Sequence, residues 1–228
     1  MNINNISYLN IDRAIRRGTA EILENSDDAV FIRETRSGVY FFACDDPDLG
    51  MNILEKHEDR DYKLLVVFNS ELADRALAKY GFADRLDCWQ AAYLGGIPEV
   101  SDELRVRVAE LRDLDQIISN YDLVGPDEVR DSVEHGDVLV GFDKEDNMVG
   151  FIGEHPDGSG GMLYVFPEHR RKGYGSEFEK HLFIKNINEG FIPFGQVVQD
   201  NYASLELQKS MGLTIGDIPV IWMWTEEQ

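Results

Sequence analysis

Residues 165–176, Val-Phe-Pro-Glu-His-Arg-Arg-Lys-Gly-Tyr-Gly-Ser, place three consecutive cations and two glycines between an apolar run and a helix-like run. The spacing predicts a strand over Met162–Phe166. It predicts a helix from about Gly173 to Asn188, with Tyr174, Phe178 and Leu182 at i, i+4 and i+8. A glycine-containing turn that opens a helix leaves N–H groups without intrahelical partners, and the helix dipole favours an anion there. Arg170, Arg171 and Lys172 add side-chain charge at the same place, and Gly173 and Gly175 let the backbone approach a ligand where a Cβ would intrude. The segment reads as a pyrophosphate cradle. A Walker loop would need a Gly-Lys-Ser/Thr ending, which is absent, and Phe178 stands where a dinucleotide fingerprint needs its third glycine.

The pattern that matches is Arg/Gln-x-x-Gly-x-Gly/Ala, present as Arg170-Arg171-Lys172-Gly173-Tyr174-Gly175 with Pro167-Glu168 just before it. It resembles the acyl-CoA-binding motif of the GNAT superfamily of N-acyltransferases. A second motif follows the strand-like run Phe194–Val198. Asn201, Ser204, Leu207, Gly212 and Leu213 fit the superfamily's Asn-x-x-Ala/Ser-x-x-Leu-Tyr-x-Lys-x-Gly-Phe pattern. Asn201 is suited to cap a helix, Ala203, Leu207 and Met211 give it an apolar face, and Gly212 is a natural stop. Gln208 departs from the pattern. Many superfamily enzymes carry there a tyrosine that protonates the leaving thiolate, and glutamine has no proton to give. The run Gly190–Val197 and the closing Trp222-Met223-Trp224 resemble the glycine N-acyltransferase-like, or FR47-like, branch. The resemblance covers about residues 103–228.

The resemblance implies an α/β (α+β) fold with a mixed, largely antiparallel central sheet flanked by helices. It implies acetyl-CoA, or another acyl-CoA, as co-substrate, with no metal. The residues expected at that co-substrate are Val165, Phe166, Arg170, Arg171, Lys172, Gly173, Tyr174, Gly175, Ser176 and Asn201. The implied reaction is direct transfer of an acetyl or short acyl group to a primary amine of a small molecule, with the Val165 backbone pairing the pantetheine. The attacking amine must be neutral, so a base or water chain has to remove its proton. Glu154, at the end of the preceding strand, and Tyr164 are the expected catalytic groups, with His155 a weaker candidate. The glutamate that glycine acyltransferases carry on the strand before the cradle falls near Ser159 here, so that role does not transfer. Two further readings stay open: a non-catalytic acyl-CoA sensor, and an adaptor whose acidic face binds a basic protein.

Composition bounds the partners. The net charge of −21 over 228 residues argues against nucleic acid and against an anionic membrane surface, and biases the acceptor towards a cation. Cys44 and Cys88 lack ligand or disulfide spacing, and His57, His135, His155, His169 and His181 lack metal spacing. Met1–Asn5 has neither basic flank nor apolar core, and no apolar run reaches the ~18 residues of a membrane span. A soluble, cytoplasmic protein is expected, with homodimerisation allowed.

Around the cradle, periodicity predicts a helix over Ile11–Leu23, strands at 29–33, 38–42 and 64–68, a helix with Leu72, Ala76, Leu77 and Tyr80 on one face, and a strand over 86–94. Gly95-Gly96-Ile97-Pro98 suggests a boundary, giving an N-terminal α/β domain at 1–98 and an acyl-CoA-binding domain at 99–228. Beyond it come a strand at 104–108, short helices at 114–119 and 126–133, and a hairpin of 138–142 with 148–154. The halves echo one another, since Gly81 lies 12 residues after Asn69 and Gly212 lies 11 after Asn201. That suggests a duplication whose first copy has lost the cradle and helps shape the acceptor pocket.

Overall fold

The computed structural model describes residues 5–225, so most of the Met1–Asn5 segment lies outside the described residues. Two compact units are present: Met1–Ala92 with Gln196–Gln228, and Tyr93–Gly195. The residues from 196 onward therefore belong to the same unit as the N-terminal residues.

In the first unit the helix expected over Ile11–Leu23 is shorter. Helix α1 is Leu9–Arg17, stopped by Gly18 in the left-handed region at φ 72°. The Gly18 N–H donates to Ile15 O and the Thr19 N–H to Ala14 O, which satisfies the last carbonyls. The chain turns at once into strand β1 (Ala20–Asn25), so Ile22 belongs to a strand rather than to the helix face. Strands β2 (Ala29–Glu34) and β3 (Tyr40–Cys44) continue antiparallel. Helix α2 (Pro47–Lys56), not read from periodicity, crosses to β4 (Leu64–Val67), which runs parallel to β3. Helix α3 (Ser70–Tyr80) and strand β5 (Asp84–Tyr93) follow.

The end of the chain adds β10 (Phe194–Val198), α7 (Tyr202–Ser210) and β11 (Leu213–Trp224). The seven-stranded sheet has the order β1-β2-β3-β4-β11-β5-β10. In its last four strands, exchanging β4 with β10 and β5 with β11 reverses the order onto itself. The connecting helices match as well. The Asn69 side chain accepts from Leu72 N at the start of α3, and that of Asn201 from Ser204 N at the start of α7, each 3.1 Å. Two apolar layers cover the sheet, one around Phe31, Phe42 and Leu65, the other around Ile32, Phe41 and Val66, as alternation along β2, β3 and β4 requires.

The second unit is built on an antiparallel meander of β6 (Arg105–Val108), β7 (Val138–Phe142), β8 (Met148–Glu154) and β9 (Gly160–Val165). Helices α4 (Leu114–Ile118) and α5 (Pro126–Glu134) cover one face, where Ile117 and Val129 meet Val138, Val140, Phe151 and Met162. Helix α6 (Tyr174–Asn188) covers the other, with Phe178 and Leu182 against Leu139, Val149 and Ile152. The fit at Phe178 is close, since a Cβ at Gly141 would stand 2.5 Å from its ring. The mixed, mainly antiparallel α/β class agrees with the sequence expectation.

The paired asparagines give a stability test. Replacing either Asn69 or Asn201 by alanine removes a cap and should cost about 1 kcal/mol. In a chain of this size that lowers the melting midpoint by roughly 2–4 °C. Thermal unfolding of both variants checks it; an unchanged midpoint in either would show that its cap contributes nothing.

Candidate active site

The cradle begins with an interruption in β9. Phe151 pairs with Tyr164 and Gly153 with Gly161, so Met162 and Leu163 together oppose Ile152 alone: a β-bulge. Met162 takes the left-handed conformation at φ 50°, which costs a non-glycine residue about 1 kcal/mol. Its side chain is sealed in the α4–α5 core beside Tyr121. Burial pushes the Tyr121 phenol up.

Beyond the bulge, Tyr164 stacks on Phe151 at 5.7 Å between ring centres and meets Phe166 edge-on at 6.0 Å. Phe166 N–H donates to Val149 O at 2.9 Å. Antiparallel alternation therefore turns the N–H and C=O of Val165 to the edge away from β8. No strand pairs with that edge of β9 among the described residues. The Val165 carbonyl accepts from Arg170 Nε at 2.9 Å, and the same guanidinium lies 5.3 Å over the Tyr164 ring. Arg170 is thus turned back onto β9.

Arg171 and Lys172 point elsewhere. Both are exposed, and among the described residues neither has an ion pair or hydrogen bond. Elsewhere cations find acids: Arg75 with Asp48, Arg85 with Asp87, Arg107 with Asp113, Lys185 with Glu154. Arg171 at φ 61° and Gly173 at φ 84° curl the backbone into the start of α6. Gly173 occupies the N-cap and offers no capping side chain. Ser176 Oγ donates back to Gly173 O at 2.9 Å. An added Cβ at Gly175 would meet only Leu163 Cδ2, at 4.0 Å. The protein therefore leaves Gly175 room for a side chain, although glycine early in a helix costs about 1 kcal/mol relative to alanine. Unpaired N–H groups, unpaired cations and an open glycine suit an anion of pyrophosphate size.

At the β3–α2 junction of the first unit, by contrast, the helix start is capped from within the chain. Asp46 Oδ1 accepts from the N–H groups of Asp48 at 2.8 Å and Leu49 at 3.3 Å, with Pro47 opening the helix.

Of the remaining candidates, Glu154 is fully buried. It sits 3.3 Å from Lys185 Nζ, which also approaches Asp137 at 4.0 Å and Glu189 at 3.0 Å. Burial and this ion cluster remove it from the reach of a diffusing amine. Ser159 is buried and gives its hydroxyl to Asp157 at 2.7 Å. Asn201 and Gln208 lie on α7 and its cap in the first unit.

Two groups emerge that sequence reading ranked low or missed. His155 Nδ1 lies 2.9 Å from Glu128 Oε1 on α5. Burial opposes its charge, but the hydrogen bond to Glu128 and the charges of Asp157 and Glu128 outweigh that and hold its pKa above the usual histidine value. Glu179, one turn past Gly175, has a sealed Oε2 with no hydrogen-bond partner. Burial alone pushes its pKa up to about 7. Nothing in the local sequence separates that glutamate from Glu177, which is held by Lys180 and Ser101.

These positions can be compared with known proteins. Residues 140–217, from β7 into β11, match the FR47-like protein family. No curated protein sequence matches the chain. Among solved structures, a Drosophila protein superposes with a TM-score of 0.63 at 15% identity, covering 96% of this chain and 90% of that one. A GCN5-related N-acetyltransferase from Kribbella flavida gives 0.58 at 14% identity over 97% and 95%. A tandem GNAT protein from the clavulanic acid biosynthesis pathway gives 0.50 at 10% identity over 90% and 82%. The chain has the fold of the GCN5-related N-acetyltransferases. Its C-terminal part resembles the FR47-like family.

Glu179 provides a pH test. Below its ordinary pKa of 4.5 the carboxyl is protonated in folded and unfolded chains alike. Between there and about 7 the folded chain keeps a proton that the unfolded chain has released, so stability falls as pH rises through this window. The loss approaches ~3 kcal/mol above it. Glu179→Gln should therefore raise the melting midpoint at pH 8 and leave it nearly unchanged at pH 5; equal effects at both would show that Glu179 is not a buried neutral acid.

Proposed function

We propose that this protein is an N-acyltransferase that moves an acetyl or other short acyl group from acyl-CoA to a primary amine of a small molecule. The observation that carries the reading is the cradle: Arg171 and Lys172 without protein partners, at a helix start capped only by Gly173 and followed by a glycine no protein contact requires. Arg171, Lys172 and the first N–H groups of α6 hold the pyrophosphate. The outward N–H of Val165 pairs with the amide-bearing arm, and Arg170 and Tyr164 stiffen that end of β9. The acceptor is a cationic or neutral amine, in keeping with the net charge of −21. Gln208 supplies no proton to the leaving thiolate, which takes one from water or another group.

The first unit is a second, degenerate copy of the same fold. The interchangeable strand order, the matched asparagine caps and the likeness to a protein described as a tandem GNAT support this. Its helix α2 binds no acyl-CoA, because Asp46 occupies the N–H groups an anion would need.

A non-catalytic acyl-CoA sensor is the second reading, favoured by Gln208 and by the ion-paired burial of Glu154. Thermal unfolding with CoA, acetyl-CoA and longer esters tests the shared part. A ligand at 100 times its Kd stabilises by about 2.7 kcal/mol, which for this size is roughly 5–10 °C. Release of free thiol from acetyl-CoA on adding amines then separates enzyme from sensor, and no thermal shift with any ester overturns both.

The glycine gives a sharper form. Gly175→Ala should stabilise the free protein by up to about 1 kcal/mol while weakening acyl-CoA binding. Gly175→Val should abolish binding with the far-ultraviolet circular dichroism unchanged. Binding retained within a few-fold in the valine variant would place the pyrophosphate elsewhere.

A further inference from the structure

The second unit holds a carboxylate–imidazole pair on the α5 side of the meander, apart from the cradle residues. Glu128 comes from the first turn of α5 and His155 from the residue after β8, 27 positions away in sequence. The turn after His155 is tightly specified. His155 N–H donates to Ser159 O at 2.9 Å, Gly158 N–H to His155 O at 2.8 Å, and Asp157 holds Ser159 through both its N–H and its hydroxyl. The imidazole is thereby fixed at backbone and ring alike, while the side chain stays 27% exposed.

The ring is seated on a glycine. A Cβ at Gly161 would stand 2.4 Å from His155 Nε2 and 2.8 Å from Cδ2, so any side chain there would displace the imidazole. Gly161 is the last residue of β9 before the Met162–Leu163 bulge. Nε2 therefore lies beside the point where the strand leaves its ladder. With Nδ1–H given to Glu128, Nε2 carries the lone pair of the neutral ring, and it has no protein hydrogen bond among the described residues.

On the acyl-transfer reading above, we propose that His155 is the catalytic base and Glu128 its positioning residue. The amine lone pair forms the new C–N bond and its N–H proton passes to Nε2. The thioester C–S bond breaks with its electron pair left on sulfur. The thiolate then takes a proton from the imidazolium or from water exchanging with it, which restores the neutral ring. Charge on the imidazolium is met from α5 by Glu128 and from the turn by Asp157, both acidic, and Tyr121 lies in the field of Glu128 on the same side. The acidic surroundings also favour an acceptor that arrives as an ammonium ion, which releases one proton to solvent before its lone pair can attack.

Bromoacetyl-CoA tests this on the full chain. A nearby nucleophile attacks its methylene carbon and is alkylated, forming an N–C bond as bromide leaves, and peptide mass spectrometry locates the adduct. The expected result is an adduct on His155 that excess CoA suppresses and that His155→Gln abolishes. Gly161→Ala, which displaces the ring but keeps the histidine, should slow labelling at least tenfold. Titration of the imidazole by NMR should show a midpoint above that of a free histidine, falling towards it in Glu128→Gln. If CoA shifts the melting midpoint but the label misses His155, or the titration ignores Glu128→Gln, the assignment of the base falls and the acyl-CoA reading stands. If CoA produces no shift, both fall together.

Discussion

The bulge in β9 is the constraint on which the site rests. Two residues stand where the ladder allows one, so the strand cannot remain in register with β8 beyond Gly161. The left-handed Met162 is kept by burial of its side chain, and without that burial the strain of the conformation has less to oppose it. Downstream, the new register decides which backbone groups of Val165 face outward. Upstream, Gly161 stays paired with Gly153 and seats His155 one residue before the break. The outward backbone edge and the imidazole seat thus flank one local irregularity on a six-residue strand.

Glycine does two different things in the cradle. Gly173, at φ 84°, is required by the backbone, and a side chain there would be strained whatever space surrounds it. Gly175 has ordinary helical geometry and open surroundings, so the fold gives no reason for it. A residue kept against local propensity with no contact to explain it indicates a constraint from outside the chain, such as an incoming ligand. Arg171 and Lys172 carry the same message in charge. Among so many acids an unpaired cation is the exception, and two adjacent ones at a helix start form a local positive region that the net charge does not cancel over the ~8 Å of physiological screening.

Much of the second unit was legible in its sequence. The hairpin of β7 and β8 and helix α6 fall where alternation, glycine and i, i+4 spacing place them, because each is specified by contacts close in sequence. Periodicity alone extends the helix to Leu23 because Ile22 falls in phase with Ile11 and Ile15, whereas the left-handed Gly18 ends it at Arg17. Helix α2 escaped because its apolar residues are few, although Asp46-Pro47 is a helix-start signal in its own right. The site was half visible. Motif spacing marks the cradle, but whether Glu154 is a free base or a buried partner of Lys185 depends on a helix 31 residues away. The Glu128–His155 pair and the sealing of Glu179 are likewise products of packing, invisible to any window along the chain.

The compact units cut across the order of the chain for a topological reason. β11 lies between β4 and β5, and β5 lies between β11 and β10, so each strand–helix–strand segment finishes its sheet with the last strand of the other. Residues 196–228 must then pack with the N-terminal residues, and the segment that matches the FR47-like family spans both units. An exchange of this kind binds the first half into the fold whether or not it binds a ligand. Asp46 supplies from within the chain, at the start of α2, a capping carboxylate that the start of α6 does not have. One helix start is closed by its own side chain and the other is left open by glycine, and the shared sheet holds both in place regardless.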